Sequence, residues 1–164
     1  MPLNERYLAV YLNDHFAGAV VGYELANRAA SSNEGNGYGA FLSELAHEIG
    51  EDRASLKRIM ERFGVKEDKV KSSVAFVGEK LGRLKPNARL TGYSPLSRVV
   101  EIEGLTLGVT GKLGLWRALR NAADSDDRLD AEELDVLIER AERQQEGLEQ
   151  QRLAATAEAL GAVS

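Results

Sequence analysis

The sequence predicts an all-α fold built from four long helices, and three observations carry that reading. Apolar residues recur at three- and four-residue spacing along almost the whole chain, the alternation typical of strands is nearly absent, and glycine- or proline-marked breaks divide the chain into segments of similar length. The first segment, from about Leu3 to Ala30, closes in the polar, glycine-rich run Ser31 to Gly37. The second runs from about Tyr38 to Phe63, where Gly64 suits the left-handed position that ends many helices because it has no Cβ to clash. A shorter segment, Lys66 to Leu84, carries Val70, Val74, Val77, Leu81 and Leu84 on one stripe and stops before Pro86. Ser94 as cap and Pro95 in the first turn announce the third long helix, which runs to near Asn121. The fourth opens with Asp130 as cap, Glu133 reaching back in a capping box and Leu129 with Leu134 as a hydrophobic staple, and runs to about Leu160. At about 1.5 Å per residue the four long segments form rods of roughly 40 to 46 Å, well matched for side-by-side packing.

Composition bounds the function. The 164 residues make one domain, 1–164, and 43% hydrophobic with 29% charged residues is a globular balance rather than a disordered one. The absence of cysteine removes disulfides, thiolate metal sites and cysteine nucleophiles, and His15 and His47 are the two imidazoles in the chain. A net charge of -5 without a basic tail argues against nucleic acid as a partner. The most apolar stretch, Val99 to Leu119, holds Glu101, Glu103, Lys112 and Arg117, so it reads as a buried helix and not a membrane span. Met1 to Arg6 leads straight into a stretch broken by Asn13, Asp14 and His15, which lacks a signal-peptide pattern and makes the cytoplasm the expected location.

Short loops join the first and last helix pairs into hairpins, while about 30 residues by the same spacing of breaks separate the second long helix from the third, room for a helix that returns along the bundle. With that helix order and with Glu44-x-x-His47 in the second helix, the chain resembles the ferritin-like superfamily over nearly its full length. The resemblance implies a ferritin-like four-helix bundle with a long central crossover containing an extra shorter helix. In that superfamily a dimetal carboxylate site takes a glutamate from each of two helices and Glu-x-x-His from each of the other two. This chain has one such motif, and Glu142-Arg143-Gln144-Gln145 stands where the second would fall. On a helical wheel His47 lies about 160° from Leu45, which puts Glu44 and His47 on the solvated face. The chain therefore resembles a divergent branch of that superfamily, one lacking the full ligand set.

Other polar residues interrupt the apolar stripes. His15 lies in line with Leu8, Leu12, Ala19 and Ala26, Asp52 lies beside Leu45 and Leu56 with Glu48 at the stripe's edge, and Gln145 and Arg152 interrupt the stripe of the fourth helix. Their heights along the helices predict a polar core of His15, Asp52 and Gln145 near Thr110, with Glu103 and Arg152 together about two turns higher. In this reading Asp52 orients His15 and Arg152 neutralises Glu103. The competing reading makes His15, Glu48, Asp52 and Glu103 the ligands of an iron or manganese ion, although an arginine beside a ligand carboxylate competes with a cation. Asp124 to Asp135 is a weak likeness of a calcium loop in which Arg128 replaces an oxygen ligand, and Gly111-Lys112 lacks the rest of a phosphate loop.

Gly104, Gly108 and Gly111 lie on one face of a third helix that is apolar all round, so that helix is expected to be buried all round, with a close backbone approach at the glycines. The first helix has a second apolar stripe, Val10, Ala17, Val21 and Leu25. The expected function is a non-catalytic ferritin-like bundle with an interaction or regulatory role, homodimeric and without a cofactor. The alternative is a metal-binding protein or oxidoreductase with a nonstandard carboxylate and histidine site. A small-ligand binder needs a cavity that the sequence does not reveal.

Overall fold

Four helices and no strand make up residues 3–69 and 92–161, the part of the chain described in the computed structural model. They are α1 (Glu5–Ser32), α2 (Gly39–Arg62), α3 (Pro95–Ala123) and α4 (Ala131–Leu160). Each lies within about a turn of the span its apolar periodicity predicts. The stop and start signals act as expected: Gly64 sits at φ +65° after α2, Ser94 caps α3 by accepting from Ser97 N, and Asp130 caps α4 by accepting from Glu132 N and Glu133 N. The expected return of Glu133 to its cap does not occur, because Glu133 instead pairs with Arg62 of α2 at 2.7 Å. Lys66 to Lys69, the start of the expected crossover helix, are not helical, and Asn13 on α1 holds this stretch through Lys66 O and Asp68 N. The rest of that expected helix lies outside the described residues. Among the described residues no helix is long and apolar enough to cross a membrane.

α1 packs on α2 and on α3, and α4 packs on α3 and more lightly on α2. Every packed pair is antiparallel. Arg28 near the end of α1 meets Glu101 near the start of α3, Tyr38 before α2 meets Glu158 late in α4, and Arg120 late in α3 meets Asp135 early in α4. It follows that α2 and α3 run in the same direction, with the start of each at the same end of the bundle. Where α2 meets α4, the Phe41 ring lies so close to Gly147 that a Cβ there would collide with it, so the small residue lets the two backbones approach. The core between the helices is continuous, with Leu12, Phe16, Leu42, Leu56, Ile59, Ile102, Leu105, Trp116, Leu134 and Leu148 all nearly inaccessible. Burial of such side chains contributes roughly 1.5–3 kcal/mol each.

A polar clasp closes the end where α2 and α3 begin. Asn33, fully buried, donates to Ala29 O and to the Tyr93 hydroxyl, and accepts from Asn36 Nδ2 and from Arg98 Nε at 2.7 Å. Arg98 also lies over the Tyr38 ring and reaches Glu158 of α4 at 2.8 Å. One side chain after α1 thereby holds the first turn of α3, which in turn holds the last turn of α4. Replacing Asn33 by alanine leaves Tyr93 and Arg98 without an acceptor or donor they use, and is expected to cost about 1–3 kcal/mol in chemical denaturation. The exposed neighbour Glu34→Ala is expected to stay within about 0.5 kcal/mol of the parent.

Candidate functional site

The middle of the bundle holds a largely buried cation that the sequence pattern does not single out. Lys112 on α3 reaches inward and places Nζ 2.6 Å from Asp52 Oδ2 on α2 and 2.6 Å from Gln144 Oε1 on α4. Asp52 is 2% exposed, and its other oxygen accepts from Arg140 Nη1 at 3.1 Å. Gln144 passes the chain on, since its Nε2 donates to Glu48 Oε2 at 2.8 Å. Arg140 also holds Glu51 at 2.9 Å, nearer the surface. Three helices are thus tied together at one height by a network in which Lys112 and Arg140 face Asp52 and Glu51, and Glu48 is held by the Gln144 amide. Burial pushes the Lys112 ammonium below the usual lysine range, and the adjoining Asp52 carboxylate pulls it back up.

The expected site residues are only partly brought together. Asp52 is buried and Glu48 stands beside it across Gln144, as their stripe position implies. The expected Asp52–His15 pair is not formed: both Asp52 oxygens go to cations, while His15 is half-buried with its ring edge-on to Tyr11 at 4.6 Å. Gln145 is displaced from the core by its neighbour Gln144, and bonds Thr110 at the surface at 2.9 Å. Glu103 is exposed, 3.9 Å from a partly exposed Arg152 that sits closer to Glu149, so the predicted pair exists outside the core. The buried acid of that region is Glu101, which accepts from Arg28 and Tyr93. These one- and two-residue offsets have one cause: a helical wheel fixes a residue's direction only to within the span of a side chain, and long side chains reach around the helix. Among the described residues no group of three His, Asp or Glu side chains converges to hold a metal. Glu44 and His47 do lie on the solvated face, with His47 3.5 Å from Glu51. In the loop before α4, Arg128 donates to both Asp126 oxygens and holds that carboxyl down at about 2, occupying the place a cation would need.

Lys112 and Asp52 also form part of the wall of a cleft of about 330 Å³ between α1, α2 and α3. Its walls are otherwise mainly apolar: Ala19 from α1, Ile49 and Leu56 from α2, and Leu105, Leu115 and Trp116 from α3. Gly18, Gly22, Gly108 and Gly111 also line it, and a Cβ at any of these four would meet nothing within 4 Å. The expectation that glycines mark close backbone packing on α3 is corrected here for Gly108 and Gly111: they leave open space. The same face corrects the expectation that α3 is buried all round, because Leu107 is 75% exposed. Nothing in apolar periodicity distinguishes a glycine that lets a neighbour in from one that leaves a gap.

These features define the class of the molecule as an all-α four-helix protein with an ion-paired centre and an apolar cleft. The chain matches no family model, no curated protein and no solved structure.

Two predictions test the site. Lys112→Met leaves the buried Asp52 with Arg140 as its one cation and a long 3.4 Å bond from Gln144 Nε2, and is expected to cost roughly 3–5 kcal/mol. Adding Asp52→Leu should recover much of that loss, since Arg140 keeps Glu51 and Gln144 keeps Glu48; equilibrium urea denaturation of both variants measures it. For His15, burial lowers the imidazole pKa below its usual 6.5. The folded state then binds this proton less readily than the unfolded one. Its contribution to stability is full above the unfolded pKa and lost as pH falls through the folded one. NMR titration should find the His15 midpoint below the usual value, and His15→Gln should flatten this part of the stability profile.

Proposed function

We propose that the protein is a non-catalytic ferritin-like helical bundle that works by interaction or regulation and does so as a homodimer. The observation that carries the reading is Lys112, whose ammonium lies among Asp52, Gln144 and Glu48 in the bundle centre. A divalent cation would have to displace a charge that is covalently part of the chain, with Arg140 adding a second. The ferritin-like element of the proposal is supported by the helix order, with antiparallel neighbours and α2 parallel to α3.

The bundle itself takes up part of the expected second stripe of α1, since Ala17 and Leu25 are buried, and the homodimer is supported by the apolar side chains that stay exposed on α1 and α3. Tyr7, Val10 and Tyr11 share one face of α1 at 72%, 53% and 38% exposure, and Leu107 projects from α3. A two-fold contact would match such a face to itself, the commonest closed symmetry. Sedimentation at micromolar concentration tests the proposal. The parent chain is expected to run as a dimer and Val10→Glu as a folded monomer. A parent chain that sediments as a monomer of 17.9 kDa overturns the homodimer.

A further inference from the structure

The cleft between α1 and α3 has a chemistry that selects its occupant. Its volume, about 330 Å³, falls at the lower end of the roughly 300–1,000 Å³ typical of small-molecule sites. Glycines line its open side, two on each of α1 and α3, on helices where alanine would favour the helix more. Two hydrogen-bond donors on its wall have capacity left. The indole Nε1 of Trp116 has no partner although the side chain is 1% exposed, and Lys112 uses two of its three N–H bonds on Asp52 and Gln144. Of the charges on the wall, Lys112 is matched by Asp52, Arg53 lies over the Tyr23 ring and Asp14 has its own interaction.

We propose that this cleft is a binding site for an uncharged, mainly apolar small molecule carrying one hydrogen-bond acceptor, such as a ketone or an ester carbonyl. The apolar walls take the body of the molecule and the acceptor meets the remaining N–H of Lys112, with the Trp116 side chain in the same wall. A carboxylate would meet Lys112 only next to the Asp52 carboxylate that already holds it, and an ammonium would meet Asp52 only next to Lys112 and Arg140, so each would face a like charge along with an opposite one. The neutral His15 imidazole at the same wall adds no charge to attract either. This inference deepens the reading of the protein as a binding module by naming the class of ligand, and it does not depend on the oligomeric state.

Trp116 is the one tryptophan in the chain, so its fluorescence reports occupancy directly. The full chain is titrated at pH 7 with 2-nonanone, nonanoate and nonylammonium, three probes of equal chain length. The ketone is expected to give a saturable change in Trp116 emission, with at least tenfold weaker responses to the two charged probes. Gly108→Leu and Gly18→Leu place side chains in the open space without meeting a neighbour at Cβ. Both are expected to keep the parent's helical circular dichroism and melting temperature while losing the ketone response tenfold or more. The proposal is overturned if the ketone gives no saturable change, if the charged probes bind equally well, or if folded leucine variants respond like the parent. A monomeric protein that binds the ketone would defeat the homodimer and leave the site standing; a dimer that does not bind it would do the reverse.

Discussion

The pairing of Lys112 with Asp52 fixes the arrangement of the helices around it. A lysine that reaches into the core carries a desolvation penalty of several kcal/mol unless a carboxylate and further acceptors meet it. Here those partners come from different helices, Asp52 from α2 and Gln144 from α4, so the ammonium is satisfied only when α2, α3 and α4 stand at one relative height and rotation. Leucine and isoleucine packing tolerates a slide of one residue far better than this three-way contact does. The net stabilisation from the pair is therefore modest compared with the core, while its effect on register is large.

The two ends of the bundle apply the same logic with different chemistry. Asn33 and Arg98 join the end of α1 to the starts of α2 and α3 and the close of α4, and at the opposite end Arg128 lies over Phe63 and bonds Glu5 and Asp126. Both arginines combine a stacked aromatic face with hydrogen-bonded carboxylates, a geometry that a lysine cannot reproduce. Between these clasps the apolar core supplies the driving force, and the ionic centre supplies the alignment. The cleft lies alongside that centre, on the α1–α3 side, where four glycines replace the side chains that would otherwise fill it.

Much of this architecture was legible from residues alone, and the limits have identifiable causes. Helix spans followed from periodicity because apolar faces must be buried, and Gly64, Ser94 and Asp130 set the boundaries through local backbone chemistry. Asp52 stood out because it is a short carboxylate in the middle of an apolar stripe. Lys112 did not, because its long stem starts from the edge of α3 and carries the charge inward, so its Cα direction misstates where its nitrogen lies. The same reach explains why Gln144 and Glu101 are the buried residues where Gln145 and Glu103 were expected. His15 was assigned to Asp52 on shared height and inward-facing stripes, and a pair on separate helices also depends on which competing cation is nearer. The cleft was hidden for a different reason: glycine spacing is the same whether a neighbour fills the space or leaves it empty.

The cation in the middle of the bundle is the Lys112 ammonium, held by Asp52 and Gln144. Elemental analysis of the full chain, purified without chelator and then dialysed against iron or manganese, tests that assignment most directly. Well under one metal ion per ten chains is expected for either metal; stoichiometric iron or manganese that is lost in Asp52→Asn would show a metal centre instead.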